Sequence, residues 1–153
     1  MMKFLVFLAL LASNLALAQL PALNSRSYLL LDFQSRQVLA ARNPDLRVEP
    51  ASLTKLLTAY VVFDALRQKR ITLAQPFSVS EKAWHAPGSR MFLTVAESVT
   101  VEELLNGMIV QSGNDAAITL AEGVAGSEDA FVEIMNREAQ RLGMTHSHFV
   151  NAT

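Results

Sequence analysis

The sequence PASLTK, residues 50–55, is the stretch on which our interpretation of the fold and of its chemistry depends. Pro50 can begin a helix, and Ser52 and Lys55 then stand three residues apart. Three residues along an α-helix correspond to a rotation of about 300° and a rise of about 4.5 Å, so the two side chains share one face. A serine that attacks as a nucleophile needs a base beside it, and a lysine that burial keeps neutral can act as that base. An ordinary helix start followed by a solvated lysine would show the same pattern, so these residues alone leave both interpretations open.

The surrounding segments predict a buried helix that follows an antiparallel hairpin. Residues 51–68 carry apolar side chains on several faces, which is typical of a helix inside a core. Before them, residues 28–33 and 38–41 flank a polar turn and predict the two strands of the hairpin. The first of these strands is almost continuously apolar, so we expect it to lie centrally in its sheet. Short extended pieces are predicted over residues 77–80 and 91–93.

The second half of the chain is predicted to be mainly helical. Thr100 and Glu103 form the capping-box pattern, which predicts a helix over residues 101–111. Two more helices follow within residues 115–143, and residues 146–150 are predicted to be extended. Strands, then several helices, then a further extended segment indicate an α+β fold with a helical cluster inserted into an antiparallel sheet. We expect the first of these helices to bury Leu104, Leu105, Met108 and Ile109.

The composition indicates a protein with a hydrophobic core and no strong charge bias. Of the 153 residues, 51% are hydrophobic and 18% are charged, and the formal net charge is -1. This balance argues against nucleic acid or an anionic membrane surface as the main partner. The absence of cysteine excludes disulfides, thiolate catalysis and cysteine-based metal sites. We predict no cofactor and no metal site.

The N-terminus has the pattern of a secretory signal peptide. Lys3 precedes an apolar run over residues 4–17, and small residues at 16 and 18 fit a signal-peptidase site. The run is shorter than the roughly 20 residues that a membrane-spanning helix needs, although an uncleaved anchor is the alternative. We therefore predict a signal peptide over residues 1–18 and an exported domain over residues 19–153.

A second polar motif, Ser112-Gly113-Asn114, lies between two predicted helices. Serine, glycine and asparagine are ordinary linker residues, so the tripeptide alone is weak evidence for a site. Chemically, however, it complements the first motif. The hydroxyl of Ser112 could relay a proton between the lysine and a leaving amine. The carboxamide of Asn114 offers both a donor and an acceptor to an amide substrate.

Taken together, the two motifs resemble those of the low-molecular-mass penicillin-binding proteins, the serine-type D-Ala-D-Ala carboxypeptidases of the peptidase S11 family. The resemblance extends over nearly all of residues 19–153, including the opening hairpin and the run from Ser112 to Ala116. It implies a β-lactamase/transpeptidase-like fold. The family also carries a later Lys-Thr-Gly, which is absent from this chain. We therefore expect an N-terminal fragment of the catalytic domain, incomplete in its sheet and inactive by itself.

The resemblance further implies an acyl-enzyme mechanism with Ser52 as nucleophile and Lys55 as general base. Ser112 would relay a proton and Asn114 would bind the substrate backbone. The expected reaction removes the terminal D-alanine from peptidoglycan stem pentapeptides, and β-lactams should acylate the same serine. The family implies a periplasmic protein peripheral to the inner membrane, held in many members by a C-terminal anchor that this sequence does not contain.

Three alternatives to a carboxypeptidase follow from the same motifs. A D,D-endopeptidase of the same family would share them. A non-catalytic penicillin-sensing or wall-binding module would keep the fold without the reaction. A class A β-lactamase is disfavoured, because Gly113 stands where those enzymes usually have aspartate.

Overall fold

The computed structural model describes residues 23–153, so the signal peptide predicted over residues 1–18 lies outside the described residues. The chain divides into two compact units, one ending at Val48 and the other running from Glu49 to Thr153. Within the described range, no helix is both long enough and apolar enough to cross a membrane.

The first unit contains an antiparallel hairpin of strands β1 (Tyr28–Leu31) and β2 (Val38–Arg42). Asp32 closes the turn between them, accepting hydrogen bonds from the backbone N–H and the hydroxyl of Ser35, both at 2.7 Å. In the described part of the chain these two strands pair only with each other, and Leu29 is 52% exposed. The described residues provide no further partner for β1, so the central position expected for this strand stays a prediction. An apolar run shows what a strand could bury, but it does not identify the partner strand.

The second unit is a helical cluster with a small two-stranded sheet. The 3-10 turn Ala51–Leu53 leads directly into α1, and strand β3 pairs antiparallel with β4. The elements, in chain order, are α1 (Thr54–Arg67), β3 (Pro76–Ser78), α2 (Glu81–Trp84), β4 (Ser98–Thr100), α3 (Val101–Gln111), α4 (Asn114–Ala125) and α5 (Glu128–Arg141).

Helix α4 is the centre of the second unit, because it contacts every other helix of that unit as well as β3. Its buried residues include three fully buried alanines, Ala116, Ala117 and Ala121, whose small side chains allow the neighbouring helices to approach closely. A Cβ on Gly123 would lie 2.1 Å from the ring of Phe77, so only glycine lets β3 pack at this distance. Because α4 is held by these contacts, the position of its first residue, Asn114, is also fixed. Asn114 is one of the predicted site residues.

The helix boundaries follow the sequence signals closely. The capping box is confirmed, with Thr100 and Glu103 bonded reciprocally at the start of α3. Ser127 caps α5 by accepting from the backbone N–H of Ala130 at 3.1 Å. Gly143, just beyond α5, has a φ of +80°, which is the conformation expected of a glycine that ends a helix.

Two predicted extended segments are not strands. Over residues 91–93, the backbone N–H groups of Met91 and Leu93 donate to the carboxylate of Asp115 and not to a neighbouring strand. Over residues 146–150, the backbone N–H and C=O of Phe149 are bound by the side chain of Asn136. In both places a side chain satisfies the backbone groups that strand pairing would otherwise use.

The predicted burial of two helices was too extensive. Ile109 of α3 is 59% exposed, although it was expected in the core. Helix α1 buries one side, whereas Leu56 on its other side is 70% exposed. Periodicity identifies faces that can be buried, but not which faces the rest of the chain covers.

Candidate active site

Ser52 lies at the exposed start of the first helical segment of the second unit. It is the middle residue of the 3-10 turn, one turn before the buried Lys55. The preceding Ala51 has a φ of 49°, in the left-handed region that residues other than glycine rarely occupy. Strained backbone of this kind persists only where the surrounding structure holds it, and it is concentrated at functional sites. The turn therefore presents a solvent-accessible hydroxyl beside a buried amine.

Lys55 is buried in the first turn of α1, with 7% of its surface exposed. Its Nζ donates hydrogen bonds to Ser52 Oγ at 3.3 Å and to Asn114 Oδ1 at 2.6 Å. Burial lowers the pKa of the Lys55 amine, because an ammonium loses hydration when it leaves water. None of the ion pairs among the described residues involves Lys55, so no carboxylate offsets that loss. The environment thus makes this amine easier to deprotonate than that of an exposed lysine, and places it next to a hydroxyl.

Asn114, the first residue of α4, joins this pair to a loop. Its Nδ2 donates to the carbonyl oxygen of Pro87 at 2.6 Å, and its backbone N–H donates to that of Ser89 at 2.7 Å. Because a carbonyl oxygen can only accept, the contact with Pro87 fixes which end of the carboxamide is the NH2 group. The other end, Oδ1, then points to Lys55. One N–H and one oxygen lone pair of the amide stay available for a substrate.

Ser112 lines a cavity of about 400 Å³ together with Ser52 and Lys55. It ends α3 in a left-handed conformation, with φ of 56° and ψ of 36°. Its hydroxyl forms no hydrogen bond with any residue that the structure describes. Most of the other residues that line the cavity are apolar or aromatic, and they include Leu56 and Tyr60. A second hydroxyl and a hydrophobic surface therefore border the space in front of the serine.

Three of the four predicted site residues thus form one hydrogen-bonded group, and the fourth, Ser112, borders the same cavity. Their roles as nucleophile, base, relay and substrate ligand stay predictions. Sequence reasoning did not identify the contact between Asn114 and the loop around Pro87. The dipeptide Pro87-Gly88 is typical of a turn, but no local pattern indicates which distant residue a turn contacts. Among residues 23–153, no group of three or more histidine, cysteine, aspartate or glutamate side chains could hold a metal ion.

Comparison with known proteins gives concordant matches. The profile of the peptidase S11 family, D-alanyl-D-alanine carboxypeptidase, matches residues 14–153. The chain is 43% identical over 135 residues to the D-alanyl-D-alanine carboxypeptidase DacC of Escherichia coli (strain K12), covering 84% of this chain and 34% of that protein. It is 36% identical over 131 residues to a D-alanyl-D-alanine endopeptidase of Pseudomonas aeruginosa, covering 86% of this chain and 41% of that protein.

A solved structure extends this likeness to the fold. Penicillin-binding protein 5 from Haemophilus influenzae superposes with a TM-score of 0.83 at 40% identity, covering 88% of this chain and 40% of that chain. The chain belongs to the peptidase S11 family of D-alanyl-D-alanine carboxypeptidases. The expected penicillin-binding and transpeptidase fold is confirmed, and the chain contains part of it. The chain spans about a third of the length of the curated carboxypeptidases it matches.

The left-handed backbone at Ser112 predicts an unusual order of stability between two variants. Ser112→Gly and Ser112→Ala both remove the hydroxyl, but alanine keeps the steric cost of the left-handed region, about 1 kcal/mol or more. We expect the glycine variant to have the larger free energy of unfolding by about 1 kcal/mol in urea titrations.

The control for this comparison is the exposed Ser78 in β3, where the backbone is extended. There, Ser78→Gly should be less stable than Ser78→Ala, because glycine loses more backbone entropy in a strand. The same order of stability at both positions would contradict the inference of strain at Ser112.

Proposed function

We propose that this chain carries the acylating residues of a serine D-Ala-D-Ala carboxypeptidase that removes the terminal D-alanine from peptidoglycan stem pentapeptides. The observation that carries the proposal is the buried Lys55 amine, which bridges Ser52 Oγ and Asn114 Oδ1 in a member of this family. A hydroxyl with a neutral amine beside it has the arrangement that nucleophilic catalysis requires.

Acylation begins with the transfer of the Ser52 hydroxyl proton to neutral Lys55. The oxygen of Ser52 forms a bond to the carbonyl carbon between the two D-alanines, and the negative charge moves to the carbonyl oxygen. The backbone N–H of Ser52, in the first turn of a helix, is one donor for that oxyanion. As the C–N bond breaks, the proton on Lys55 passes through the Ser112 hydroxyl to the amine of the departing D-alanine.

In deacylation, water attacks the acyl-enzyme ester and Ser52 is the leaving group. Lys55 accepts a proton from water, the resulting hydroxide adds to the ester carbonyl, and the C–O bond to Ser52 breaks. The proton returns to Ser52, which restores the starting state. During both steps the free N–H and lone pair of the Asn114 carboxamide bind the substrate backbone.

We also propose that β-lactams acylate Ser52, since solved relatives of this fold are penicillin-binding proteins and one was crystallised in an ampicillin-bound form. The N-terminal sequence pattern supports export, with a signal peptide over residues 1–18 removed and the protein acting in the periplasm. A peripheral association with the inner membrane, as in anchored members of the family, is part of this proposal.

A D,D-endopeptidase is the second candidate, favoured by the similarity to the Pseudomonas aeruginosa endopeptidase. Both activities use the same acylation chemistry and differ in the leaving group, which is a free D-alanine in one case and a cross-linked peptide in the other. Muropeptide analysis of a deletion strain separates them. Accumulated pentapeptides indicate a carboxypeptidase, and excess cross-links indicate an endopeptidase.

The direct test measures D-alanine released from a soluble pentapeptide by the complete gene product without residues 1–18. Ser52→Ala should lower the release at least about a thousandfold, because the nucleophile of the acyl-enzyme is removed. The matched control, Ser78→Ala, removes an exposed serine hydroxyl outside the cavity and should leave the rate within about twofold. Equal release by the Ser52→Ala variant and the unsubstituted protein would contradict the proposed function.

The lowered pKa of Lys55 predicts the pH dependence of acylation. Only the neutral amine accepts a proton, so the rate constant for acylation by a fluorescent penicillin should rise with pH. The midpoint of the rise should lie below the ordinary pKa of lysine, because burial disfavours the ammonium. A titration between about pH 6 and pH 10 covers this range.

Lys55→Arg is the matched variant for this titration, since a guanidinium stays charged throughout the range. We expect it to acylate about 10²- to 10⁴-fold more slowly and to show no rise with that midpoint. A midpoint at or above the ordinary lysine value, or an unchanged profile in Lys55→Arg, would contradict the assignment of Lys55 as the base.

A further inference from the structure

Asp115, the residue after Asn114, has a buried carboxylate that holds a loop. It is 1% exposed, and its oxygens accept hydrogen bonds from backbone N–H groups on both sides of residue 92. Oδ1 accepts from Met91 at 3.0 Å, and Oδ2 accepts from Leu93 at 3.2 Å. Oδ1 also accepts from the N–H of Ala116 at 2.9 Å. These bonds replace the hydration that the carboxylate loses on burial.

The loop held by Asp115 is the same loop that orients Asn114. Pro87 and Ser89, a few residues earlier, supply the carbonyl oxygens that accept from the side chain and the backbone of Asn114. Between them, Gly88 approaches so closely that a Cβ would lie 3.1 Å from Asn114 Nδ2. Two consecutive residues at the start of α4 therefore hold the two ends of one short loop.

An ordinary role at a helix start does not account for this arrangement. Acidic residues stabilise the first turn of a helix through the dipole, and Asp129 in the first turn of α5 has that role while exposed. Asp115 is instead buried, and two of its three N–H donors come from a loop more than twenty residues earlier in the chain. Its specific contribution is the position of residues 87–93.

We propose that Asp115 is a positioning residue for the acylation reaction, acting on Lys55 through the loop and Asn114; this inference rests on the proposed function. The carboxylate fixes the 91–93 backbone, which keeps the carbonyl of Pro87 against Asn114 Nδ2. That contact holds the carboxamide with Oδ1 toward Lys55, and Oδ1 holds the amine within reach of Ser52. Release of the loop lets the carboxamide rotate and the amine leave its position beside the hydroxyl.

The test is a double-mutant cycle on the complete gene product, read out as the rate constant of acylation by a fluorescent penicillin. Asp115→Asn keeps the shape of the side chain, but its NH2 group faces a backbone N–H and cannot accept. We expect it to slow acylation about ten- to a hundredfold, since displacement of a reacting group by about 1 Å has effects of this size. In an Asn114→Ala background the same substitution should slow acylation less than about twofold, because the residue through which it acts is gone.

A purely structural role predicts a different result in this cycle. Asp115→Asn would then lower the rate by the same factor in both backgrounds, and that result would overturn the inference while leaving the proposed function intact. All rates are measured well below the melting temperature of each variant. Asp129→Asn is the matched control and should leave the rate unchanged.

Amide hydrogen exchange in the unsubstituted protein tests the contact without any variant. The N–H groups of Met91 and Leu93 should exchange much more slowly than the exposed amides of the same loop. Exchange at the rate of an open loop would overturn the inference even if the Asp115→Asn variant did not fold. No acylation of the unsubstituted protein would contradict the proposed function and would overturn the inference with it.

Discussion

The hydrogen bond between Lys55 Nζ and Asn114 Oδ1 is the interaction on which the site depends. It joins two helix starts that are 59 residues apart in sequence, and it holds the amine of a buried lysine beside the Ser52 hydroxyl. Burial lowers the pKa of that amine, no ion pair among the described residues involves it, and the amide oxygen holds it in place. The basicity of the Lys55 amine thus depends on its burial, whereas its position depends on the hydrogen bond to Asn114.

The packing of α4 supports this arrangement. Small residues on its inward face and Gly123 against Phe77 allow α1, the other helices of the unit and β3 to approach it. The site also keeps strained backbone on two sides, since Ala51 and Ser112 both lie in the left-handed region. The packed helices can hold these two residues in their strained conformation, although both lie beside an accessible cavity.

The sequence predicted the parts of the site that depend on local geometry. The spacing of Ser52 and Lys55 implied a shared helix face, and the capping box located the start of α3. Contacts between distant segments could not be read in this way. Asn114 was identified as a candidate, but its bonds to Lys55 and Pro87 arise from the packing of α4, which no local pattern encodes.

Burial was predicted less well than helix position, for a related reason. Leu56 and Ile109 have the apolar character of core residues, yet both are exposed on the side of the cavity. The hydrophobicity of a side chain indicates how much free energy its burial would contribute. Whether it is buried depends on where other segments of the chain pack. The two misassigned extended segments show the same limit, because Asp115 and Asn136 satisfy backbone groups that strand pairing was expected to use.

Peptide mapping by mass spectrometry after treatment with benzylpenicillin tests the central claim, that the Lys55 environment activates Ser52. The complete gene product is labelled, digested and searched for the mass of a covalent penicilloyl group. We predict one modified peptide, with the group esterified to Ser52. Modification at Ser112 with Ser52 left unmodified, or no covalent adduct, would contradict the account.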